Sequence, residues 1–260
     1  RLARSKGAHV IVRAQALGNP RAALVVPVPG ESARWVGATP ADDGRIIVGV
    51  TDDAYDGALV DEPEVTPDEE RFLLSVLSLA LENPIGSDAV IGRYAGFRPL
   101  LAGESASTAD LSRKHAIVED RDSGVITVVG GKLTTYRHMA QQTVDRLLKN
   151  DPRPCRTARL PLVGAAPHDV LRSLRAPARL IRRYGIEAPA VASLAAHDSR
   201  LLEPIAPGLT VLGVELLFGL QHEGALTADD VLDRRVRLGL VPEEKAAAEL
   251  AVGTLLDAAA

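Results

Sequence analysis

The chain has 260 residues, 46% of them hydrophobic and 25% charged, an ordinary globular composition with room for one large domain or two smaller ones. The net charge of −4 arises from acids and bases scattered among each other, so no basic stripe is available for nucleic acid. A single cysteine, Cys155, excludes an intramolecular disulfide and an all-cysteine metal site.

That cysteine usage suits a reducing cytoplasm, and no apolar run approaches the roughly 20 residues of a membrane span. No signal-peptide pattern opens the chain. It begins with Arg1 and passes almost at once into a buried-strand pattern, which reads as a piece of a longer protein.

The first half is strand-rich. His9 to Val12 is a β-branched run, Ala22 to Val28 is apolar with Pro27 near its end, and Arg45 to Thr51 follows the turn signal Asp42-Asp43-Gly44. Between the third strand and the next, Thr66-Pro67-Asp68-Glu69 supplies an N-cap, a proline at the first helical position and an acid three residues after the cap. Phe72, Leu73, Val76, Leu77, Ala80 and Leu81 then recur at helical spacing until Asn83-Pro84. Val90 to Ala95, His115 to Glu119 and Val125 to Val129 complete the strand set, with Asp122-Ser123-Gly124 turning between the last two. A second helix starts after Gly130-Gly131 and runs to about Lys149, with Met139, Val144, Leu147 and Leu148 on one face.

Asp151-Pro152-Arg153-Pro154 reads as a linker, and beyond Gly164 alanine and leucine rise while strand signals thin out. Segments 167–184, 186–202, 210–223, 227–238 and 242–258 fit short helices, with Thr227 and Pro242 marking two of the starts. The fold class expected is α+β: a mixed or antiparallel sheet with a strand-turn-helix, then a small all-helical domain. The divisions are 1–150, a linker over 151–163, and 164–260.

Five stretches can carry chemistry. In Val128 to Arg137 a strand runs into Gly130-Gly131 and then a helix carrying Thr134 and Thr135. Glycines let a ligand approach the backbone, and a helix N-terminus offers N–H groups to an electron-rich edge. A tight turn with a hydroxyl cap accounts for the same residues. Arg98 lies between an aromatic residue and a proline, where its planar fork can hold phosphate or carboxylate, or pair with a core acid. Ser112-Arg113-Lys114-His115 is a basic cluster at a strand entrance, a phosphate binder or a solvated loop. His9 starts an apolar strand, as a general base or as a structural residue. Thr51-Asp52, with Asp56-Gly57 beyond, forms a loop for metal or sugar contacts, or an Asx turn. The chain contains no Gly-x-Gly-x-x-Gly, P-loop or Gly-x-Ser-x-Gly elbow.

Taken in order, SKGAHVIV, IIVGVTDDAYDG, YAGFRPL, LSRKH and GGKLTTYR resemble FAD-dependent, aerobic-type glycerol-3-phosphate dehydrogenases, and HEGALTADDVLDRR resembles their helical C-terminal cap. Glycerol-phosphate oxidases, which use oxygen, share the pattern, and a non-catalytic remnant is the reading from another class. The resemblance implies oxidation of glycerol 3-phosphate to dihydroxyacetone phosphate, with FAD accepting the hydride and quinone the electrons. It implies a cytoplasmic protein that docks on the inner face of the membrane. By position, His9 would lie beside the reacting hydroxyl, Arg98 and Arg113 would hold phosphate, and Lys132 would approach the flavin or the substrate. Gly130, Gly131, Lys132, Leu133, Thr134 and Thr135 would embrace the flavin's pyrimidine end. His222, Glu223, Asp230, Arg234 and Arg235 of the cap are expected to form ion pairs and helix caps. Two departures stand out: Gly49-Val50-Thr51-Asp52 replaces the usual Gly-Thr-Thr-Asp, and WVGATP replaces an Ile-Pro-Trp-like segment. The family's glycine fingerprint for the FAD pyrophosphate is missing from these 260 residues, so the chain alone is expected to be inactive and to hold FAD weakly.

Overall fold

A computed structural model describes residues 2–32, 34–41, 43–101, 115–148 and 153–259. The chain divides into two compact units, Arg1–Leu160 and Pro161–Ala260.

The first unit is built on β1 (Leu2–Arg13), followed by β2 (Leu24–Pro27), β3 (Trp35–Pro40), β4 (Arg45–Gly49) and β5 (Asp53–Ala54). Helix α1 (Pro67–Ser78) and strand β6 (Val90–Leu101) come next. The sheet runs β2-β3-β4-β1-β5, and β6 pairs with β1 from Leu2 to Val12. Every pairing is antiparallel. Because side chains alternate along a strand, Lys6, Ala8, Val10 and Val12 of β1 share one face. Val10 and Val12 meet Val26, Val28, Val36, Ala38, Ile46 and Val48 from the neighbouring strands, and Leu73, Leu74, Val76 and Leu77 of α1 close the core. Each fully buried valine there contributes roughly 1.5–3 kcal/mol.

The start of α1 follows its sequence signals. The Thr66 hydroxyl accepts the Glu69 N–H at 3.3 Å, and the Glu69 carboxylate accepts the Thr66 N–H at 2.8 Å. Lys6 reaches from β1 to the same carboxylate at 2.8 Å and donates to the Glu64 carbonyl at 2.9 Å. Burial pushes the Glu69 pKa up, but the bonds from Lys6 and Thr66 outweigh it and hold the group below the usual carboxylate range. The helix stops at Ser78, ahead of the expected Asn83-Pro84, where the Ser78 hydroxyl accepts the Ile85 N–H and the chain folds back.

Strands β7 (Ala116–Glu119) and β8 (Ile126–Val129) form a separate hairpin. Its turn is closed by the Asp120 carboxylate, which accepts the N–H groups of Asp122 and Ser123. A 3-10 turn, Leu133–Thr135, leads into α2 (Tyr136–Leu147). The apolar face expected on this helix is present, but none of its residues is buried, and Val144 and Leu147 are 48% and 59% exposed.

Four strands depart from the sequence reading, among them β5, a two-residue pairing inside a stretch expected to be a loop. β3 was not expected, because Trp35-Val36-Gly37-Ala38-Thr39-Pro40 has no sustained β-branched run. β1 begins at Leu2 rather than His9, and β6 continues past Ala95 to Leu101. In both, polar residues and glycine hide a strand that is held by ladder bonds to its partner.

The second unit is helical: α3 (His168–Ser173), α4 (Ala178–Tyr184), α5 (Ala188–Ser193), α6 (Gly213–His222) and α7 (Pro242–Ala259). The segments expected over 167–184 and 186–202 are broken into shorter pieces, at Pro177 and beyond Ser193. Asp230–Arg235 is a π-helix, opened by a reciprocal cap in which the Thr227 hydroxyl accepts the Asp230 N–H at 3.1 Å and the Asp230 carboxylate accepts the Thr227 N–H at 3.0 Å. Arg234 pairs with Asp230 and Arg235 donates to the Glu223 carbonyl, as expected of structural residues. Glu215 is fully buried, paired with Arg179 and Arg183, and accepts the Leu212 N–H at 2.8 Å.

Removing one partner of a buried pair leaves an uncompensated charge, at a cost of about 3–5 kcal/mol, whereas exposed pairs contribute under about 1 kcal/mol. Lys6→Met is therefore expected to lower the urea midpoint strongly. Arg71→Ala, which removes a pair whose side chains are 72% and 86% exposed, should leave it nearly unchanged.

Candidate functional site

The face of β1 turned away from α1 carries Ser5, Gly7, His9 and Ile11. Across the ladder, β6 places Tyr94 opposite His9, Gly96 opposite Gly7 and Arg98 opposite Ser5, while β4 places Gly49 opposite His9. The His9 ring stacks on Tyr94 with centroids 4.6 Å apart and planes 5° from parallel. It also lies across Gly49, where a Cβ would stand 2.1 Å from His9 Cδ2. Burial, and then the charge of Arg98, push the His9 pKa down from 6.5 to about 4, so the imidazole is neutral near pH 7. Its Nδ1 is buried and has no hydrogen-bond partner among the described residues.

Arg98 extends across Gly7, where a Cβ would stand 2.3 Å from Arg98 Nη2. Its guanidinium donates to the Thr51 carbonyl at 3.4 Å and to Asp52 Oδ1 at 3.2 Å. Thr51 is fully buried and anchored to β1: its hydroxyl accepts the Ala8 N–H at 2.8 Å, and its own N–H donates to the Ala8 carbonyl at 3.3 Å.

Arg98 and Asp52 form one side of a cleft of about 370 Å³, together with Phe97, Pro99 and Leu100; Gly130, Gly131, Lys132 and Leu133 form the other. The volume lies within the range of small-molecule sites. Both glycines have positive φ, 75° and 88°, which a side chain would strain. At Gly131 the lack of a side chain also makes room for Met139 and His115, so that glycine serves packing as well. Thr135 is occupied locally, its hydroxyl accepting the Lys132 N–H and donating to the Lys132 carbonyl.

The fold thus brings Arg98, Lys132, Gly130, Gly131 and Leu133 around one cavity. Thr134 and Thr135 do not line it, and His9 lies on the adjoining sheet face, near enough for Arg98 to depress its pKa. Arg113 falls outside the described residues. Tyr136 is exposed, and Arg137 donates to Gln141 and Thr157. The sequence reading missed Tyr94 and gave no role to Gly7 or Gly49. The signal for all three is alternation, since they share a sheet face with His9 or Arg98. Two cations and one carboxylate at an open cleft suit an anionic ligand. Among the described residues no group of three or more His, Cys, Asp or Glu could hold a metal ion, and no helix is long and apolar enough to cross a membrane.

Residues 155–258 match the family described as the C-terminal domain of alpha-glycerophosphate oxidase. The chain is 45% identical over 258 residues to glycerol-3-phosphate dehydrogenase 1 of Mycobacterium bovis, covering 94% of this chain and 49% of that protein. Glycerol-3-phosphate dehydrogenase 2 of the same organism is 36% identical over 210 residues, covering 75% of this chain and 35% of that one. The chain therefore spans half or less of the length of these relatives. A crystal structure of the glycerol-3-phosphate dehydrogenase from Bacillus halodurans complexed with FAD superposes with a TM-score of 0.67 at 24% identity, over 98% of this chain and 57% of that one, a likeness of fold.

Because the folded His9 pKa of about 4 lies below its ordinary 6.5, the unfolded chain takes up this proton first as pH falls. Stability from His9 is complete above 6.5 and is lost as pH drops toward 4. Denaturant titrations over that range are expected to show a shallower decline for His9→Gln than for the unsubstituted chain.

Proposed function

Because the chain belongs to the glycerol-3-phosphate dehydrogenase family, we propose that it carries the substrate-binding face of such an enzyme, with glycerol 3-phosphate as the ligand of the cleft. Residues 1–150 supply this face, 151–163 the link and 164–260 the helical domain. The observation that carries the reading is the convergence of Arg98 and Lys132 on one cavity from separate parts of the first unit.

Arg98 and Lys132 take the phosphate, and each charge-assisted bond contributes roughly 1.5–3 kcal/mol. Arg113 is assigned to the same phosphate by the family motif alone. A dianion beside Arg98 offsets the charge that depresses His9, raising the basicity of the imidazole when substrate is present. His9 is then suited to take the proton of the substrate's C2 hydroxyl.

The cofactor of this reading is FAD, which accepts the hydride when bound. The lining fits a flavin edge: Gly130 and Gly131 turn the chain at positive φ, Lys132 and Leu133 border the cavity, and Leu133 is 87% exposed. Thr134 and Thr135 continue this turn, with Thr135 bracing it through Lys132. No Gly-x-Gly-x-x-Gly occurs among the 260 residues, so these residues would hold the isoalloxazine rather than the pyrophosphate. Quinone is the electron acceptor of the reading, reached by docking on the cytoplasmic face of the membrane. Comparing quinone with oxygen as acceptor for the longer protein tests that assignment, and oxygen as the better acceptor would replace it with an oxidase.

Calorimetric titration of the chain is expected to show binding of glycerol 3-phosphate but not of glycerol. Arg98→Met and Lys132→Met should each weaken it by roughly ten-fold or more. Equal affinity for glycerol and its phosphate would sink the reading. Flavin titration is expected to show FAD and riboflavin binding weakly and alike, without turnover. Tight binding of FAD alone would show that these residues hold the dinucleotide as well.

A further inference from the structure

The loop after β4 holds two groups that the phosphate reading does not use. Thr51 is fully buried and locked to β1 through both its hydroxyl and its N–H, each bonded to Ala8. Asp52 follows it, and its side chain is 14% exposed at the wall of the cleft. Arg98 belongs to β6, which pairs with the opposite edge of β1 from β4. To meet the loop, its guanidinium crosses β1 above Gly7, where a side chain would collide with it.

We propose that Asp52, with the Thr51 carbonyl, is a positioning pair that holds the Arg98 guanidinium across β1 at the cleft, so that an anion meets an arginine already oriented. The inference rests on Arg98 being the phosphate ligand. An arginine side chain is long and rich in rotamers, and holding it before binding removes a cost that binding would otherwise bear. The carbonyl is suited to the task because Thr51 is fixed to the strand that the arginine crosses. The bonds from Arg98, at 3.2–3.4 Å, are long for charge-assisted pairs and orient the guanidinium without saturating it.

The experiment compares the chain with its Asp52→Ala, Asp52→Asn and Arg98→Met variants. Inorganic phosphate and glycerol 3-phosphate are the probes in calorimetry, and side-chain nitrogen NMR follows Arg98. Asp52→Ala is expected to weaken both ligands by roughly ten-fold, while Asp52→Asn, which keeps an acceptor oxygen, stays within roughly three-fold of the unsubstituted chain. Separate Nη signals from a held Arg98 should persist in Asp52→Asn and merge in Asp52→Ala at unchanged thermal stability, which a merely structural role would not produce. Unchanged or tighter binding in Asp52→Ala would overturn the proposal, since the carboxylate would then be idle or a competitor of the phosphate. Unchanged binding in Arg98→Met would instead overturn the phosphate reading, and the Arg98 signals in the Asp52 variants would still report whether the pair holds the guanidinium.

Discussion

The two-residue alternation of β1 decides what each part of the first unit does. Lys6, Ala8, Val10 and Val12 go to the core, where Val10 and Val12 pack with the neighbouring strands and α1 and Lys6 finds Glu69. Ser5, Gly7 and His9 go to the other face, against Tyr94, Arg98 and Gly49. A slip of one residue would exchange the two sets, placing an imidazole in the core and a buried lysine against the cleft. The register is held on the core face twice over, by the valine core and by the buried pair between Lys6 and Glu69. The stability of the sheet and the geometry of the candidate site therefore share one cause.

The site also depends on side chains that are missing. Gly49 leaves room for the His9 ring, and Gly7 leaves room for the Arg98 guanidinium. Both lie in or beside paired strand, where glycine is otherwise a poor choice. Their placement under the two candidate functional groups gives the weakness of those strand positions a purpose. It also explains why His9 can stack half-buried on Tyr94 and still lie close enough to Arg98 for that charge to add to the lowering of its pKa.

Much of this was legible from the residues. The capping box at Thr66 and Glu69, the hairpin turn at Asp122-Ser123-Gly124 and the cap at Thr227 are local chemistry, and each formed as its residues require. The extents of β1 and β6 were not legible, because Arg4, Ser5, Lys6, Gly96 and Pro99 carry no strand preference and take their conformation from a partner far along the chain. The same reasoning covers β3. The glycine turn at 130–131 was visible, but its division between ligand approach and packing was not, since Met139 arrives there only through the fold. Motifs named Arg98 and Lys132, while their convergence on one cavity is a property of the tertiary structure alone.

Two arginine networks among the described residues differ in how completely they are satisfied. In the helical unit Glu215 is fully buried, bonds Arg179 through both carboxylate oxygens, lies 3.4 Å from Arg183 and accepts a backbone N–H. A set so complete has no reason to take a ligand, and a buried ion pair in that state fixes geometry more than it adds stability. Arg98 stands differently. Its bonds are longer than the two from Arg179 to Glu215, and it opens on a cavity that also holds Lys132. A cation held by long bonds, beside a second cation and next to a histidine kept neutral by burial first and by that charge second, gains from an arriving anion the close pairing that Glu215 and its arginines already have. That difference in satisfaction, more than the presence of arginine in a motif, sets Arg98 apart as a candidate ligand-binding group.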